Sequence, residues 1–306
     1  MISAADSRES LPVRIARATI ALMLITALAK LLGFVEKQLI AYYFGADMRV
    51  DAYFVAVSVP FLFFLLIREL IEPAFLPLFV GCLRAKEESR AWSLFAALGA
   101  AIVLLTFAGL LYVSISASQV VARLAPGFGP EAVEQGARLL RIMIPSAVLL
   151  GLSALTYITL NAHGRFALPA SGDLALKVGP ALILVLFSGD LGITALALGF
   201  TLGALARLGI HVVGLAPRIH LISVTMRPPR RDLARLGLLM LPLAVGSTFA
   251  LLSELADNYF SSQIGAGGVS ARTYAKKLRD LPIEVLPYAL SVVLLPAFAR
   301  LAAEDA

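Results

Sequence analysis

Two long apolar runs joined by a short turn constrain the fold of this chain most strongly. They occupy Leu32–Pro77, and the turn falls at Gly45-Ala46-Asp47. An ionisable side chain near the centre of a bilayer costs at least about 2.5–3.5 kcal/mol on insertion scales, so such residues usually face a wet or protein-lined interior. The pattern therefore predicts two consecutive membrane spans that border a polar cavity, because charges interrupt both runs at Glu36, Lys37, Arg68, Glu69 and Glu72.

The composition agrees with a membrane protein. Of 306 residues, 59% are hydrophobic and 15% are charged, whereas a soluble chain carries about 25% charged residues. The formal net charge of +6 would also suit a nucleic-acid-binding protein. The basic residues, however, form short clusters between apolar runs, as they do in cytoplasmic loops. We therefore expect a membrane lipid environment and no nucleic-acid partner.

About eight segments reach the length of roughly 20 apolar residues that a transmembrane helix needs. The predicted fold class is an all-α integral membrane protein with about eight transmembrane helices. The first two segments are over-long, which indicates tilt, a kink, or a break at Gly33 and Pro60. The segments are Ile15–Phe44, Asp51–Val80, Trp92–Ser116, Ala137–Leu160, Leu168–Phe187, Leu191–Leu215, Leu236–Ser262 and Arg272–Leu295.

Loop charges predict the orientation of these helices. The loops on one side contain only Arg49 and Arg123 clear of the helix starts, so the positive-inside rule places both termini in the cytoplasm. The amino-terminal stretch resembles a signal peptide ending near Ala27-Leu28-Ala29, but the apolar run continues past Lys30, so we expect an uncleaved first span. The basic residues of the other side are Arg8, Arg14, Arg17, Arg84, Lys86, Arg90, Arg165, Arg218, Arg227, Arg230, Arg231, Arg235 and Arg300.

An internal repeat divides the chain. Phe44-Gly45-Ala46 and Val50-x-Ala52-Tyr53 recur as Ile264-Gly265-Ala266 and Val269-x-Ala271, followed by Tyr274. Both copies run in the same direction through the membrane, which is typical of a parallel repeat. We predict a first six-helix lobe in residues 1–216, a basic cytoplasmic linker in residues 217–235, and the first two helices of an incomplete second lobe in residues 236–306.

Charges of the second copy are candidates to line the cavity. On a helix, Lys276 and Lys277 lie four and three residues before Asp280, so the three share a face. Cationic groups there are suited to phosphate oxygens. Alternatively, the cations snorkel to the interface and the carboxylates merely neutralise them. Asp173 and Lys177, four residues apart in the fifth segment, favour a structural pair over a site.

Signatures of enzymes and metal sites are absent from the sequence. No P-loop pattern is present, and the three histidines have neither HExxH spacing nor cysteine companions. Cys82 is the single cysteine, so it has no partner for a disulfide. We therefore expect no catalysis, no cofactor and no metal.

An ordered set of motifs resembles the MurJ/MviN family of lipid II flippases, within the superfamily of multidrug and oligosaccharide-lipid exporters. The resemblance extends over nearly the whole chain. The motifs are Leu32-Gly33-Phe34, Phe44-Gly45-Ala46, Asp51-Ala52-Tyr53-Phe54-Val55-Ala56, Pro60, Ala74-Phe75-x-Pro77, Asn161, Arg165-Phe166-x-x-Pro169-Ala170, Val269-Ser270, Tyr274-Ala275, Leu278, Pro282 and Leu294-Leu295-Pro296.

The resemblance implies two six-helix lobes around a central cavity and transport of an undecaprenyl-pyrophosphate-linked sugar across the bacterial inner membrane by alternating access. The implied partner is a lipid-linked oligosaccharide. The residues expected to contact its head group are Lys30, Lys37, Arg68, Lys276 and Lys277. The residues expected to tune or gate the site are Asp51, Glu69, Glu72 and Asp280.

The sequence departs from the family pattern in its second span. Paired arginines of the family are replaced around Phe63 and Phe64, which weakens planar, bidentate recognition of pyrophosphate and favours another lipid-linked glycan over lipid II. Two alternatives stay open. One is an ion-coupled multidrug exporter of the same superfamily. The other is a non-transporting fragment or half of a split transporter, with a second chain or a homodimer completing the second lobe.

Overall fold

The computed structural model describes residues 11–222, 228–280 and 282–283, and side chains from residue 20 onward. Every regular element in these ranges is helical. The helices are α1 (Leu11–Phe44), α2 (Met48–Arg84), α3 (Glu88–Ile115), α4 (Ala117–Leu124), α5 (Pro130–Met143), α6 (Ser146–Ala162), α7 (Ala167–Leu191), α8 (Thr194–Leu215), α9 (Arg230–Ser262) and α10, described over 268–280. A 3₁₀ turn, Ala216–Leu221, follows α8.

The all-α membrane fold is confirmed. Within the described ranges, α2, α3, α7, α9 and α8 with its 3₁₀ turn are long and apolar enough to cross a membrane. The pair α5 and α6, bent by 44°, makes a sixth candidate if it is one span. Lys30, Glu36 and Lys37 interrupt the apolar run of α1. The predicted span Arg272–Leu295 lies partly outside the described residues.

The over-long helices α1 and α2 are continuous through Gly33 and Pro60, so of the three alternatives that their length indicated, tilt, a kink or a break, the break does not occur. α2 contains Pro60, Pro73 and Pro77 within its 37 residues. A proline removes one backbone hydrogen bond and crowds the preceding turn. The remaining backbone hydrogen bonds of α2 keep the helix continuous.

The turn between α1 and α2 forms where the sequence predicts it. α1 ends at Phe44, and Gly45 has a φ of +66°, a left-handed value that glycine adopts without steric cost. The Asp47 carboxylate then accepts hydrogen bonds from the backbone N–H groups of Arg49 and Val50, at 2.9 and 3.0 Å. This cap satisfies two N–H groups that the first turn of α2 leaves without helical partners.

α2 is the central helix of the bundle. In its most apolar 18 residues, 61% are buried, compared with 17% in α3 and 6% in α9. It contacts α5, α6 and α9, while α1 packs on α7 and α7 on α8. A helix that is apolar on every side is either buried or faces lipid, so α2 forms the core and α3 forms the lipid-facing rim.

The backbones of α7 and α8 approach closely through glycines. A Cβ atom at Gly199 would lie 2.6 Å from the Cα atom of Pro180, and one at Gly179 would lie 2.8 Å from the Cα atom of Gly203. Small residues permit such approach, and van der Waals contact then holds helices together in lipid.

A buried carboxylate joins α2 to the start of α10. Asp51 is fully buried, and its carboxylate accepts hydrogen bonds from the backbone N–H groups of Gly267 at 2.8 Å and Ser270 at 2.7 Å. These donors belong to the first turn of α10, where the helix dipole also favours a negative charge. Gly267 has a φ of +88°, and a Cβ there would lie 2.7 Å from the carbonyl oxygen of Ala46. We call this region the Asp51 end of the bundle.

The opposite region, the Arg90 end, joins α3 to α9. The Arg90 guanidinium donates from Nε and Nη2 to the two carboxylate oxygens of Asp232, each at 2.7 Å. Arg90 also contacts Glu87 at 2.6 Å. The Asp232 side chain is 5% exposed. A two-point guanidinium–carboxylate contact fixes orientation as well as distance, so it sets where α9 begins.

Replacing Asp51 tests the first of these contacts. Asp51→Ala leaves two buried N–H groups without an acceptor, and each such group costs about 1–3 kcal/mol. We expect the melting temperature of the purified protein to fall by several degrees. The melting temperature is measured by heating the protein with a thiol-reactive dye, which reacts with the single, buried Cys82 when the protein unfolds. Asp190→Ala, at an exposed carboxylate near the end of α7, is the control. Equal melting temperatures for the two variants would contradict the assignment.

Reversing charges tests the Arg90 end. We expect Arg90→Glu to lower the melting temperature in the same thiol assay, because two carboxylates then face each other. Adding Asp232→Arg is expected to restore most of the loss, since the pair is re-formed with opposite polarity. Arg123→Glu changes the same charge at an exposed arginine near the end of α4 and serves as the control. A double variant no more stable than Arg90→Glu would show that the two side chains are not coupled.

Candidate functional site

A cavity of about 340 Å³ lies among α1, α2, α7, α8, α9 and α10. Its volume falls in the range of small-molecule sites, about 300–1,000 Å³. We call it the central cavity. Its lining residues are Glu36, Lys37, Tyr53, Phe54, Val57, Ser58, Phe61, Leu62, Leu65, Leu176, Lys177, Phe200, Ala250, Glu254, Asn258, Arg272, Thr273, Lys276, Lys277 and Asp280.

The central cavity has an apolar wall and a charged wall. α2 supplies the apolar wall, whereas the charges come from α1, α7, α9 and α10. Five lining side chains are cationic and three are acidic, which leaves a formal charge of +2. A cleft with an excess of one sign between low-dielectric walls concentrates ligands of the other sign. The cavity is therefore suited to an anion. The cations are Lys37, Lys177, Arg272, Lys276 and Lys277, and the acids are Glu36, Glu254 and Asp280.

Lysines from three helices converge near one carboxylate of α1. The Nζ atom of Lys37 lies 2.7 Å from Oε1 of Glu36, and the Nζ atom of Lys177 lies 3.9 Å from Oε2. A Cβ at Gly33 would lie 3.6 Å from Cε of Lys177 and 3.9 Å from Cε of Lys277. Both lysine stems thus lie within contact distance of Gly33. We call Glu36, Lys37, Lys177 and Lys277 the Glu36 cluster.

A second group of charges links α9 to α10. Lys276 donates to Glu254 at 2.7 Å, and Arg272 lies 3.8 Å from the same carboxylate. Arg272 also pairs with Asp257. This group contains two cations and two carboxylates, so its charges balance. Its contacts position the two helices relative to each other. The Glu36 cluster is where positive charge is in excess.

Four of the nine residues predicted for the site line the central cavity. They are Lys37, Lys276, Lys277 and Asp280. These residues come from both halves of the predicted repeat, which the fold brings face to face.

The other five predicted residues lie elsewhere. Asp51 caps α10 at the Asp51 end, as described above, and Lys30 is about two helical turns before Lys37 on α1. Arg68 pairs with Glu72 at 3.4 Å, and its guanidinium lies 5.7 Å from the centre of the Tyr157 ring. Glu69, the residue after Arg68, is exposed.

The positions of Arg68 and Glu72 have a geometric reason. The spacing Phe61, Leu65, Arg68, Glu72 follows helical periodicity along one side of α2. The first two residues line the central cavity and the last two continue beyond its wall. Arg68 and Glu72 therefore belong to the approach to the cavity on the side of the Arg90 end.

Lys177 and Arg272 are cavity residues that sequence reasoning did not place in the site. Asp173, the expected partner of Lys177, instead contacts Arg207 at 2.5 Å. The guanidinium of Arg207 also lies 4.9 Å from the centre of the Phe64 ring. The charge of Lys177 within an apolar span was visible in the sequence, but its direction depends on how α7 is rotated against α1 and α8.

His211 of α8 packs against α6 and α7. Its ring lies 3.0 Å from the hydroxyl of Thr156 and 3.3 Å from the carbonyl oxygen of Pro169. A Cβ at Gly172 would lie 2.6 Å from its Nε2 atom. These contacts give His211 a structural role in the packing of the helices. Among the residues that the structure describes, no group of three or more His, Cys, Asp or Glu side chains is arranged to hold a metal ion.

Comparison with known proteins gives a family and a fold. The family model described as lipid II flippase MurJ matches residues 40–306. A probable lipid II flippase MurJ of Buchnera aphidicola subsp. Acyrthosiphon pisum is 30% identical over 294 residues, covering 92% of this chain and 56% of the relative. The lipid II flippase MurJ of Burkholderia cenocepacia is 28% identical over 288 residues, covering 90% and 55%. The chain thus spans about half the length of these curated relatives.

Solved structures show the same fold. A structure titled lipid II flippase MurJ, inward closed conformation, has a TM-score of 0.73 at 20% identity and covers 86% of this chain and 55% of that one. The Vibrio cholerae MATE transporter VcmN in its bent form has a TM-score of 0.67 at 14% identity, covering 92% and 65%. The helical bundle therefore has a known fold. By the match of its family model and of its curated relatives, this chain belongs to the lipid II flippase MurJ family.

Proposed function

We propose that this chain acts in a flippase that moves a polyprenyl-diphosphate-linked saccharide across the bacterial inner membrane by alternating access. Lipid II, named for the relatives, is the first candidate substrate. The observation that carries the proposal is the central cavity, which has a formal charge of +2 and lies among membrane helices of a flippase family member.

The chemistry of the cavity suits a diphosphate head group. Ammonium groups form charge-assisted hydrogen bonds to phosphate oxygens, and Lys37, Lys276 and Lys277 line the cavity. The polyprenyl chain would stay in the bilayer while the head group crosses. Lysine acts as a compact point charge without the planar fork of arginine, so recognition here would depend more on charge than on geometry. This tolerates a glycan other than that of lipid II.

Alternating access assigns roles to the two ends of the bundle. The Asp51 end joins α10 to α2, and the Arg90 end joins α9 to α3. In the proposed cycle these ends open in turn, and Asp51, Glu69, Glu72 and Asp280 influence that opening through their charges. Arg68 would contact the head group on its approach, and Lys30 would do so further along α1.

The proposal includes the organisation predicted from the sequence. Residues 1–216 would form a first lobe, 217–235 a cytoplasmic linker and 236–306 the beginning of a second lobe, with both termini in the cytoplasm. The turns at Gly45 and Gly265, both with positive φ, support the repeat. A second chain or a homodimer is the proposed source of the remaining cavity wall.

Export of a cationic drug is less well supported. The likeness to MATE transporters concerns the fold, and the excess of positive charge in the central cavity would repel an organic cation. Accumulation of ethidium in cells that express the protein separates the readings, since the flippase proposal expects no change.

Flipping in reconstituted vesicles tests the proposal. The full chain is placed in vesicles that contain a fluorescent polyprenyl-diphosphate-linked saccharide, and loss of signal to a membrane-impermeant quencher measures transfer. A hydrogen bond to a charged group contributes about 1.5–3 kcal/mol, so we expect Lys37→Ala and Lys277→Ala each to slow flipping at least about tenfold. Lys30→Ala tests the residue further along α1.

Lys86→Ala, at an exposed lysine between α2 and α3, is the matched control and should flip at the wild-type rate. If wild-type protein flips the lipid and both cavity variants do so equally well, the cavity is not the head-group site. If wild-type vesicles show no transfer above empty vesicles, the proposed function of this chain is wrong.

A further inference from the structure

We propose that Lys177 of α7 is a head-group-binding residue, and that the Glu36 cluster selects a diphosphate over a monophosphate linkage. This inference rests on the proposed function and deepens it, because it names the phosphate class that the central cavity recognises. Neither the motifs nor the spacing of the sequence assigned Lys177 to the site.

The contact between Lys177 and Glu36 is incomplete. Their closest atoms are 3.9 Å apart, beyond the distance of a hydrogen bond. The Oε2 atom of Glu36 is buried and accepts no hydrogen bond within the described part of the chain. An ammonium group has three donors, so Glu36 attracts Lys177 without saturating it. The donors of Lys177 are available to an anion that enters the cavity.

The position of Lys177 also follows from its neighbours. Asp173, one helical turn earlier on α7, contacts Arg207 instead, so it does not draw Lys177 away from the cavity. The stem of Lys177 passes beside Gly33, where Lys277 arrives from α10. Lys177 of α7 and Lys277 of α10 thus meet at the same point, and a ligand between them would contact both helices.

The charge of the cluster matches one class of substrate. Three lysines and one glutamate leave a net charge of +2, and the whole cavity lining has the same excess. A polyprenyl-diphosphate-sugar is a diester of diphosphoric acid and carries two negative charges, whereas a polyprenyl-monophosphate-sugar carries one. The first neutralises the cluster, whereas the second leaves one positive charge without a counter-charge between the apolar walls of the cavity, which is unfavourable. Removing the charge of Lys177 lowers the excess to +1 and removes this preference.

Equilibrium binding tests the inference. The probes are radiolabelled farnesyl-diphosphate-linked N-acetylglucosamine and farnesyl-monophosphate-linked glucose, added to the full chain in detergent. We expect the wild type to prefer the diphosphate probe. Lys177→Gln should weaken its binding at least about tenfold and change binding of the monophosphate probe by less than about threefold. Lys177→Arg, which keeps the charge, should retain most of the preference. Lys86→Gln is the control at an exposed lysine.

A purely structural role for Lys177 predicts a different result. If Lys177 only neutralises Glu36, removing both charges in Lys177→Gln/Glu36→Gln restores diphosphate binding to the wild-type level, which overturns the inference. If Lys177 binds the head group, the double variant melts like the wild type in the thiol assay and, because its cluster keeps a net charge of +2, still prefers the diphosphate probe. It then binds that probe at least about tenfold more weakly than the wild type does, since the contact with Lys177 is missing. This variant also decides the matter should Lys177→Gln alone fold poorly.

The cavity beside Gly33 provides an independent test. A Cβ there meets both lysines at ordinary contact distances, so Gly33→Ala should leave the preference intact. The larger side chain of Gly33→Leu occupies the space of the lysine stems and should abolish it. A retained preference in folded Gly33→Leu would count against the convergence of Lys177 and Lys277.

The outcomes separate the two proposals. If Lys277→Gln weakens diphosphate binding and Lys177→Gln does not, the inference fails while the proposed function stands. If the wild type binds neither probe, both fail together.

Discussion

Charged groups inside the membrane have to be matched by groups on other helices, and the rest of this structure depends on that requirement. Hydrocarbon does not solvate a carboxylate or an ammonium group. Glu36 of α1 therefore faces lysines of α1 and α7, and Asp173 of α7 faces Arg207 of α8. The contacts between α1 and α7 and between α7 and α8 fix the rotation of one helix against another, which apolar packing in lipid leaves weakly defined.

The same requirement explains why the central cavity is distinct from the other charged groups. At the Asp51 end, one carboxylate meets two N–H groups of a helix start, and at the Arg90 end a guanidinium meets a carboxylate at two points. Those groups are satisfied within the protein. In the cavity the cations outnumber the acids, and the proposed function assigns the missing negative charge to a substrate.

Several features were readable one helix at a time. The turn at Gly45 and Asp47 followed from a glycine with a following cap residue. Lys276, Lys277 and Asp280 line one cavity, and their spacing puts them on one side of a helix. The partner of Lys177 could not be read in this way, because residues four apart on α7 turned to different neighbours, α1 and α8.

The amino-acid sequence by itself determined that this protein is a membrane bundle of helices, where its turns fall, and which family it resembles, because apolar length, glycine and proline positions and motif order are local properties. The tertiary structure alone decided which charges meet. Glu36 and Lys177 are far apart in the chain and on helices whose rotation depends on every neighbour, so their meeting in the cavity emerged only from packing. A helix presents charges on several sides, and the fold selects the side that faces the cavity.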